Sequence, residues 1–348
     1  MLLIGHARVK KVGRSRVCYN TATFKLWRFI HDEPLIERDN MSVRELVILG
    51  TAAQVPTRER NHNGYFLRWD NEGILFDPGE GTQRQMTYAD ISASSISRIA
   101  LTHFHGDHCL GIPGVVQRLS LDKTPHRVHA YFPASGECFW NAMTHASLFQ
   151  NVVDIEKHPI TEPGVLYEND KIRLICAPLV HRTECYGYRL EELSTRSICM
   201  DRLSVYGISG PDVGRLKKQG YLDTPKGRIE LSDVSVERQG QSFAHVMDTR
   251  PCDNARMLAR NVDILLCEAT YCESEAKQAH EYMHLTARQA AEIARDSHVG
   301  KLVLTHFSQR YLTLNTLLQE AREVFPNTQL AHDCQHIPFP KRKRGMGE

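Results

Sequence analysis

From Ser42 onward the chain alternates short apolar runs with amphipathic stretches. VRELVILG (43–50) is a near-continuous apolar run ending in glycine and predicts a strand buried on both faces. GYFLRWD and GILFDPG predict a hairpin across Asn71-Glu72-Gly73, and GEGTQRQMTYA predicts a helix start. ISRIALT (96–102) predicts a buried strand followed by the helix GIPGVVQRLSL with Pro113 near its start. RVHAYFP predicts a strand and ASGECFWNAMTHA a helix. KIRLICAPL (171–179), CYGYRL (185–190) and FAHVMD (243–248) predict strands, ARMLARN a helix and VDILLCEA a strand. LTARQAAEIARDS (285–297) predicts an amphipathic helix with Thr286 near its start, then the strand KLVLTHF and the helix NTLLQEAREVF. Strands leading into helices predict an α/β fold. From about Glu191 to Asp233 this rhythm stops: glycines, a proline and cations stand close together with little core pattern, which predicts a long inserted loop.

Residues 1–40 carry Arg8, Lys10, Lys11, Arg14 and Arg16 and no periodicity; they are expected to be a disordered extension, with Met41 a candidate working start. KRKRGMGE at 341–348 is expected to be a solvated basic tail. The opening apolar run MLLI is too short for a signal-peptide core, and no window approaches the ~18 apolar residues of a membrane span. Ten cysteines show no C-x-x-C pair, so a cytoplasmic protein with reduced thiols is expected. The 43 Lys+Arg against 41 Asp+Glu leave a net charge of +2, which excludes a strongly cationic coat protein but not a local polyanion patch.

The outlier is histidine, at 18 residues. Thr-His-Phe-His-Gly-Asp-His at 102–108 places His103 and His105 two apart on an extended segment, where they face the same way and can share an ion. Asp107 and His108, on the turn into the next helix, can point at a second. Imidazole and carboxylate suit zinc, with manganese or iron as alternatives. Three further candidates follow strands: His181, Asp248 and His306. Together they make a closed account. One ion takes His103, His105 and His181, the other takes Asp107, His108 and His306, and Asp248 bridges. Two ions ~3.5–4 Å apart lower the pKa of a shared water and clamp both oxygens of a phosphoryl displacement. His126, His129, His145, His245 and His298 are read as structural, and Glu80 and Arg84 as supports of the site.

H-x-H-x-D-H with the distant His, Asp and His resembles the metallo-β-lactamase superfamily. LGTAAQVPTRERN (49–61), LFDPGEGTQRQ (75–85), PLVHRTECYGYR (178–189), MDTRP (247–251), EAT (268–270), HLTARQAA (284–291) and LTHFSQRY (304–311) resemble one family within it, ribonuclease Z. The resemblance implies an αββα sandwich over residues 41–340 with a protruding arm inserted at 191–233. It implies a two-zinc endoribonuclease that removes 3′ trailers from tRNA precursors and leaves a 3′-hydroxyl. It also implies a homodimer. In roles, it implies that Asp107 orients or deprotonates the attacking water and that His284, with Glu268, protonates the leaving 3′ oxygen. The arm would hold tRNA phosphates through Arg215, Lys217 and Lys218; residues 205–228 carry five cations against Asp212 and Asp223. Arg250, two residues after Asp248, is a candidate phosphate contact. The chain departs from the family pattern at Met247, where a glycine is usual, at Cys267, where a histidine is usual, and at Ser209-Gly210-Pro211 in the arm. Alternatives from the motif alone are another superfamily hydrolase, such as a sulfatase or small phosphodiesterase, and an RNA-binding protein with a structural metal.

Overall fold

A computed structural model describes residues 43–225 and 227–341, so the expectations for 1–40 and for the tail after Lys341 lie outside the described residues. In chain order the strands are β1 (Arg44–Gly50), β2 (Gly64–Trp69), β3 (Glu72–Phe76), β4 (Arg98–Ala100), β5 (Val128–Pro133), β6 (Ile155–Ile160), β7 (Gly164–Glu168), β8 (Ile172–Pro178), β9 (Tyr186–Glu192), β10 (Thr195–Ile198), β11 (Tyr221–Thr224), β12 (Gly227–Glu230), β13 (Ser235–Arg238), β14 (Ser242–Val246), β15 (Ile264–Glu268), β16 (Lys301–Thr305), β17 (Thr328–Leu330) and β18 (His336–Pro338). They build two seven-stranded mixed sheets, ordered β18-β1-β2-β3-β4-β5-β6 and β17-β16-β15-β14-β9-β8-β7. In the first, β3 to β6 run parallel and the rest pair antiparallel; in the second, β14 to β17 run parallel and β14-β9-β8-β7 antiparallel.

The alternation in β1 explains the layering. Leu46 and Ile48 face the other sheet, beside Tyr65, Phe76, Tyr188 and Leu266. Val47 and Leu49 face outward onto the cluster that includes Val115, Val116 and Leu119 of the helix Ile112–Leu121. The outer face of the second sheet is covered by the helices Asp253–Ala259, Ala287–Asp296 and Asn315–Val324 through Ala255, Leu258, Ala290, Ile293 and Leu317. Strands buried on both faces must read as apolar runs rather than as alternation. The result is the αββα sandwich that the resemblance implied.

Three expectations change. The strand expected over 96–102 is paired only over Arg98–Ala100, because the chain leaves the ladder to carry Thr102 and His103 into the site. The turn between β2 and β3 falls at Asp70-Asn71, with Asp70 left-handed (φ 56°). The segment 191–233 is no loop. It holds the helices Met200–Tyr206 and Pro211–Gln219, β10 and the pair β11-β12, with β10 paired to β13 just beyond it, around a core of Leu203, Ile208, Leu216, Leu222 and Ile229 closed by Val234. Six apolar residues scattered over some thirty positions are too sparse to give a periodic signal.

Candidate metal centre

The site sits where strands of both sheets end. Asp77 follows β3, His103 follows β4, His181 follows β8, Asp248 follows β14, Glu268 ends β15 and His306 follows β16. Asp77, Asp248 and His306 hold left-handed backbone (φ 45°, 51° and 59°), which non-glycine residues adopt at a cost and which here turns each side chain back over the sheet edge.

The seven candidate ligands converge. His103 Nε2 lies 2.8 Å from His105 Nδ1, which lies 3.3 Å from His181 Nε2. Asp248 Oδ2 lies 3.5 Å from His103 Nε2 and 3.7 Å from His181 Nε2. On the other side, His108 Nε2 lies 3.4 Å from Asp107 Oδ2, from His306 Nε2 and from Asp248 Oδ2. His306 Nε2 lies 3.4 Å from Asp107 Oδ2 and 3.3 Å from Asp248 Oδ1. Ligands held ~2.0–2.1 Å from a tetrahedral zinc stand about 3.3–3.4 Å from one another. The second set matches that edge length, the first scatters around it from 2.8 to 3.7 Å, and both include Asp248.

The electrostatics point the same way. Asp77, Asp107, Asp248 and Glu268 are all buried, and among the described residues none pairs with a lysine or arginine. Buried carboxylates without cationic side chains need another positive charge. Burial opposes charge on His108, but Asp248, Asp107 and Asp77 outweigh it and hold the imidazole well above its ordinary range, so in a metal-free site its proton supplies charge that a bound cation would displace. Burial, the largest cause, keeps His103, His105 and His181 below theirs against the opposing pull of Asp248, neutral as metal ligands must be. Asp248 Oδ1 is buried with no hydrogen-bond donor. The donor types, the spacing and this orphaned oxygen all fit a pair of divalent cations.

Outer contacts aim the ligands. Asp77 Oδ2 accepts from His108 Nδ1 (3.1 Å), His245 Nε2 (3.0 Å) and Thr102 Oγ1 (2.9 Å), while its Oδ1 accepts from the Thr102 amide (2.7 Å). Thr270 Oγ1 meets His306 Nδ1 at 2.7 Å, and the Met283 carbonyl meets His181 Nδ1 at 3.2 Å. Imidazole ligands engaged at the second nitrogen are fixed in tautomer and direction. Asn63 Nδ2 lies 3.1 Å from His108 Nε2, and Tyr65 Oη donates to Asn63 Oδ1. Sequence reading left Asp77 and Asn63 unmarked and read His245 only as structural. The one available signal was that Asp77 follows β3 at the same sheet end as the other candidates.

Glu268 is fully buried; its Oε1 accepts from the Thr249 amide and its Oε2 from Thr270 Oγ1. His284 Nδ1 lies 3.1 Å from Glu268 Oε2. Burial works against a charged His284, but Glu268 and Asp248 hold it up to about 9. His284 lines a cleft of about 690 Å³ together with His105, Asp107, His181, Asp248, His306, Tyr271, Tyr282, Arg182 and Arg310.

The arm residues lie elsewhere. None of the residues lining the cleft comes from 191–233. Arg215, Lys217 and Lys218 are exposed on the arm helix Pro211–Gln219, with Arg215 paired to Asp212. Arg250 donates through Nε to the His280 carbonyl at 2.8 Å, tying the loop after β14 to the helix Ala276–Tyr282. Glu80 and Arg84 are also surface residues: the Arg84 guanidinium lies over the Tyr88 ring.

The motifs most specific to the resemblance turn out to be a clamp behind the metal ligands. Arg60 donates to the Ser308 and Tyr311 carbonyls, so the RERN and SQRY segments are joined. Asp333 accepts from the Asn61 amide, Thr51 Oγ1 and Gln85 Nε2. A Cβ on Gly79 would stand 2.2 Å from the Asp107 carbonyl, so only glycine lets the PGEG turn press against the ligand segment. The departures are absorbed in packing: Met247 is buried between the sheets, and Cys267 is buried on the opposite face of its sheet.

Comparison with known proteins agrees. A family model described as metallo-beta-lactamase superfamily matches residues 57–172, and one described as beta-lactamase superfamily domain matches 222–307. The ribonuclease Z of Nocardia farcinica is 52% identical over 305 residues, spanning 87% of this chain and 100% of that protein. That of Streptomyces avermitilis is 48% identical over 304 residues, with the same spans. The crystal structure of the short form of human tRNase Z superposes with a TM-score of 0.63 at 25% identity, covering 85% of this chain and 99% of that one. With seven convergent donors at the sheet ends and these relatives along most of its length, the chain belongs to the ribonuclease Z family of the metallo-β-lactamase superfamily.

Proposed function

We propose that the chain removes 3′ trailers from tRNA precursors with two zinc ions, cutting the phosphodiester so that the tRNA keeps a 3′-hydroxyl. The observation that carries this reading is that Asp248 stands with His103, His105 and His181 on one side and contacts His108 and His306, which group with Asp107, on the other. Zinc is favoured by the imidazole-rich donors and the tetrahedral spacing. When bound, two such ions supply a water of lowered pKa and neutralise charge on the phosphoryl oxygens.

The protein's own groups do the rest. Asp107 borders the cleft and is the carboxylate at hand to take a proton from the attacking water. His284 has Nδ1 engaged by Glu268, which leaves Nε2 to donate a proton to the leaving 3′ oxygen. Glu268 keeps that imidazole protonated and oriented. The arm's Arg215, Lys217 and Lys218 hold phosphates away from the cut, and a cleft without arm residues needs such a distant grip. Residues 41–340 act as the catalytic unit of a cytoplasmic homodimer in this reading; no helix among the described residues is long and apolar enough to cross a membrane.

The test is incubation of zinc-loaded protein with a 3′-extended tRNA precursor and with a bis-aryl phosphodiester. Cleavage after the discriminator base, lost with a chelator and giving a fragment whose mass shows a free hydroxyl end, supports the proposal. Hydrolysis of the small ester alone overturns it in favour of a small phosphodiesterase.

A further inference from the structure

At the opposite end of the sandwich from the metal centre stands a second group of metal-ligating side chains. His129 and Glu156 are the second residues of β5 and β6, and His158 lies two residues further along β6. The strands run parallel, with His129 opposite Glu156 and Tyr131 opposite His158. Side chains two apart on a strand share a face, and register partners share it too, so His129, Tyr131, Glu156 and His158 all project the same way. Tyr131 belongs to the core between the sheets, so this is the inner face, at the mouth of the sandwich. The main centre gathers residues that follow the ends of β3 and β4; this group gathers residues from the beginnings of β5 and β6.

The geometry is that of a coordination set. His129 Nδ1 lies 3.0 Å from His158 Nε2 and 3.6 Å from Glu156 Oε2. These separations bracket the edge of a tetrahedron around an ion bound at ~2.0–2.1 Å. The Tyr131 ring stacks on His158 with centroids 4.8 Å apart and planes within 16°, which fixes the imidazole before any ion arrives. Six consecutive register pairs between β5 and β6 hold the backbones rigid. All three residues are half-buried, so an ion can enter and a fourth position stays open to water. His129 also lines a pocket of about 500 Å³ that shares no residue with the catalytic cleft.

The neighbouring cations do not forbid an ion. Arg98 is ion-paired to Glu72 and stacked over Tyr167. Arg127 pairs with exposed Asp154 as well as with half-buried Glu156, and its own side chain is exposed. Exposed pairs of this kind are weakly held, and Glu156 has a second oxygen to offer. Burial and the nearby Arg98 hold His129 below its ordinary range, which favours the neutral ring.

We infer that His129, Glu156 and His158 form a separate transition-metal site, of the two-imidazole, one-carboxylate type that takes zinc and, more tightly, copper(II). It binds one ion per chain at the mouth of the sandwich, bridging the edge strand β6 to β5. The test compares wild-type protein with the His129→Ala/His158→Ala variant, each stripped with a chelator, equilibrated against zinc and counted by plasma mass spectrometry. The expected result is one zinc per chain fewer in the variant, with unchanged cleavage of a bis-aryl phosphodiester showing that the fold and the main centre are intact. The difference is independent of how many ions the main centre holds. Copper(II) provides the second measurement. Beside any copper held by the main centre, the wild type should show a second nitrogen-split paramagnetic resonance component that Glu156→Gln, which keeps the fold, shifts and the double variant loses. Equal zinc counts in wild type and double variant, or a copper signal indifferent to all three residues, overturn the inference.

Discussion

The ligand cluster and the arm solve different problems with different means. The cluster collects side chains from both large sheets, buries most of them, and satisfies nearly every nitrogen and oxygen with a partner of fixed direction. The arm is one continuous stretch with a six-residue core of its own, and it presents Arg215, Lys217 and Lys218 to water. Coordination needs donors placed to tenths of an ångström, and only a rigid double sheet holds seven of them so. In the role proposed for it, phosphate gripping is long-ranged and tolerant, so a small module with exposed lysines would suffice. The two regions should therefore fail separately, and each variant below measures how far that separation holds.

The largest effect is expected at the shared ligand. Asp248→Ala removes a donor from both sets and should cost on the order of 10³-fold or more in cleavage of tRNA precursor and of small phosphodiester alike, with loss of bound metal counted by mass spectrometry. A variant that keeps its metal and its activity breaks the account of the centre. Next, Leu216→Asp puts a charge into the arm core. Precursor cleavage should fall on the order of 10²-fold or more while turnover of the small ester is unchanged. Equal loss on both substrates would mean that the regions are coupled. Asp77→Asn keeps the shape but weakens the acceptor that aims His108 and His245. Metal affinity should drop ~10–100-fold, read by competition with a chelator, and both substrates should suffer equally.

Smaller effects sharpen the contrast. Lys217→Ala combined with Lys218→Ala should weaken precursor binding evenly across tRNA sequences and reduce the slope of log affinity against log salt by about 2. An unchanged slope would remove these lysines from the interface. Thr286→Ala deletes the cap whose hydroxyl accepts from the Gln289 amide, two residues after His284. It should cost about 1 kcal/mol of stability in thermal unfolding, with little change in turnover.

Much of the framework was legible because both large sheets are covered on both faces. Runs such as VILG, LICA and ILLC leave no solvent-facing alternation, so they announce themselves. The elements that escaped are those with weak local reasons to form. β6 reads IEKHPI and is an edge strand carrying charge and a proline; β7, β17 and β18 are edge strands too, and the helix Ala276–Tyr282 buries only Ala279. Each is shaped by a neighbour distant in sequence. The arm was misread as a loop for a related reason: its core residues come from helices and hairpins too short to show a period.

The sequence by itself determined the chemistry available: histidines and aspartates at the ends of buried strands, in an order and spacing that two cations would require. Strands leading into helices also pointed to an α/β fold, and the family resemblance to its αββα layering. Only the tertiary structure decided that Asp77 steers His108 and His245 from behind and that the arm residues lie outside the cleft. It alone brought His129 to His158 at the far mouth of the sandwich. The physical reason is the same in each case. Residue type and local period are properties of neighbours along the chain, whereas coordination distance and charge burial are set by strands that meet only when two sheets close on one another.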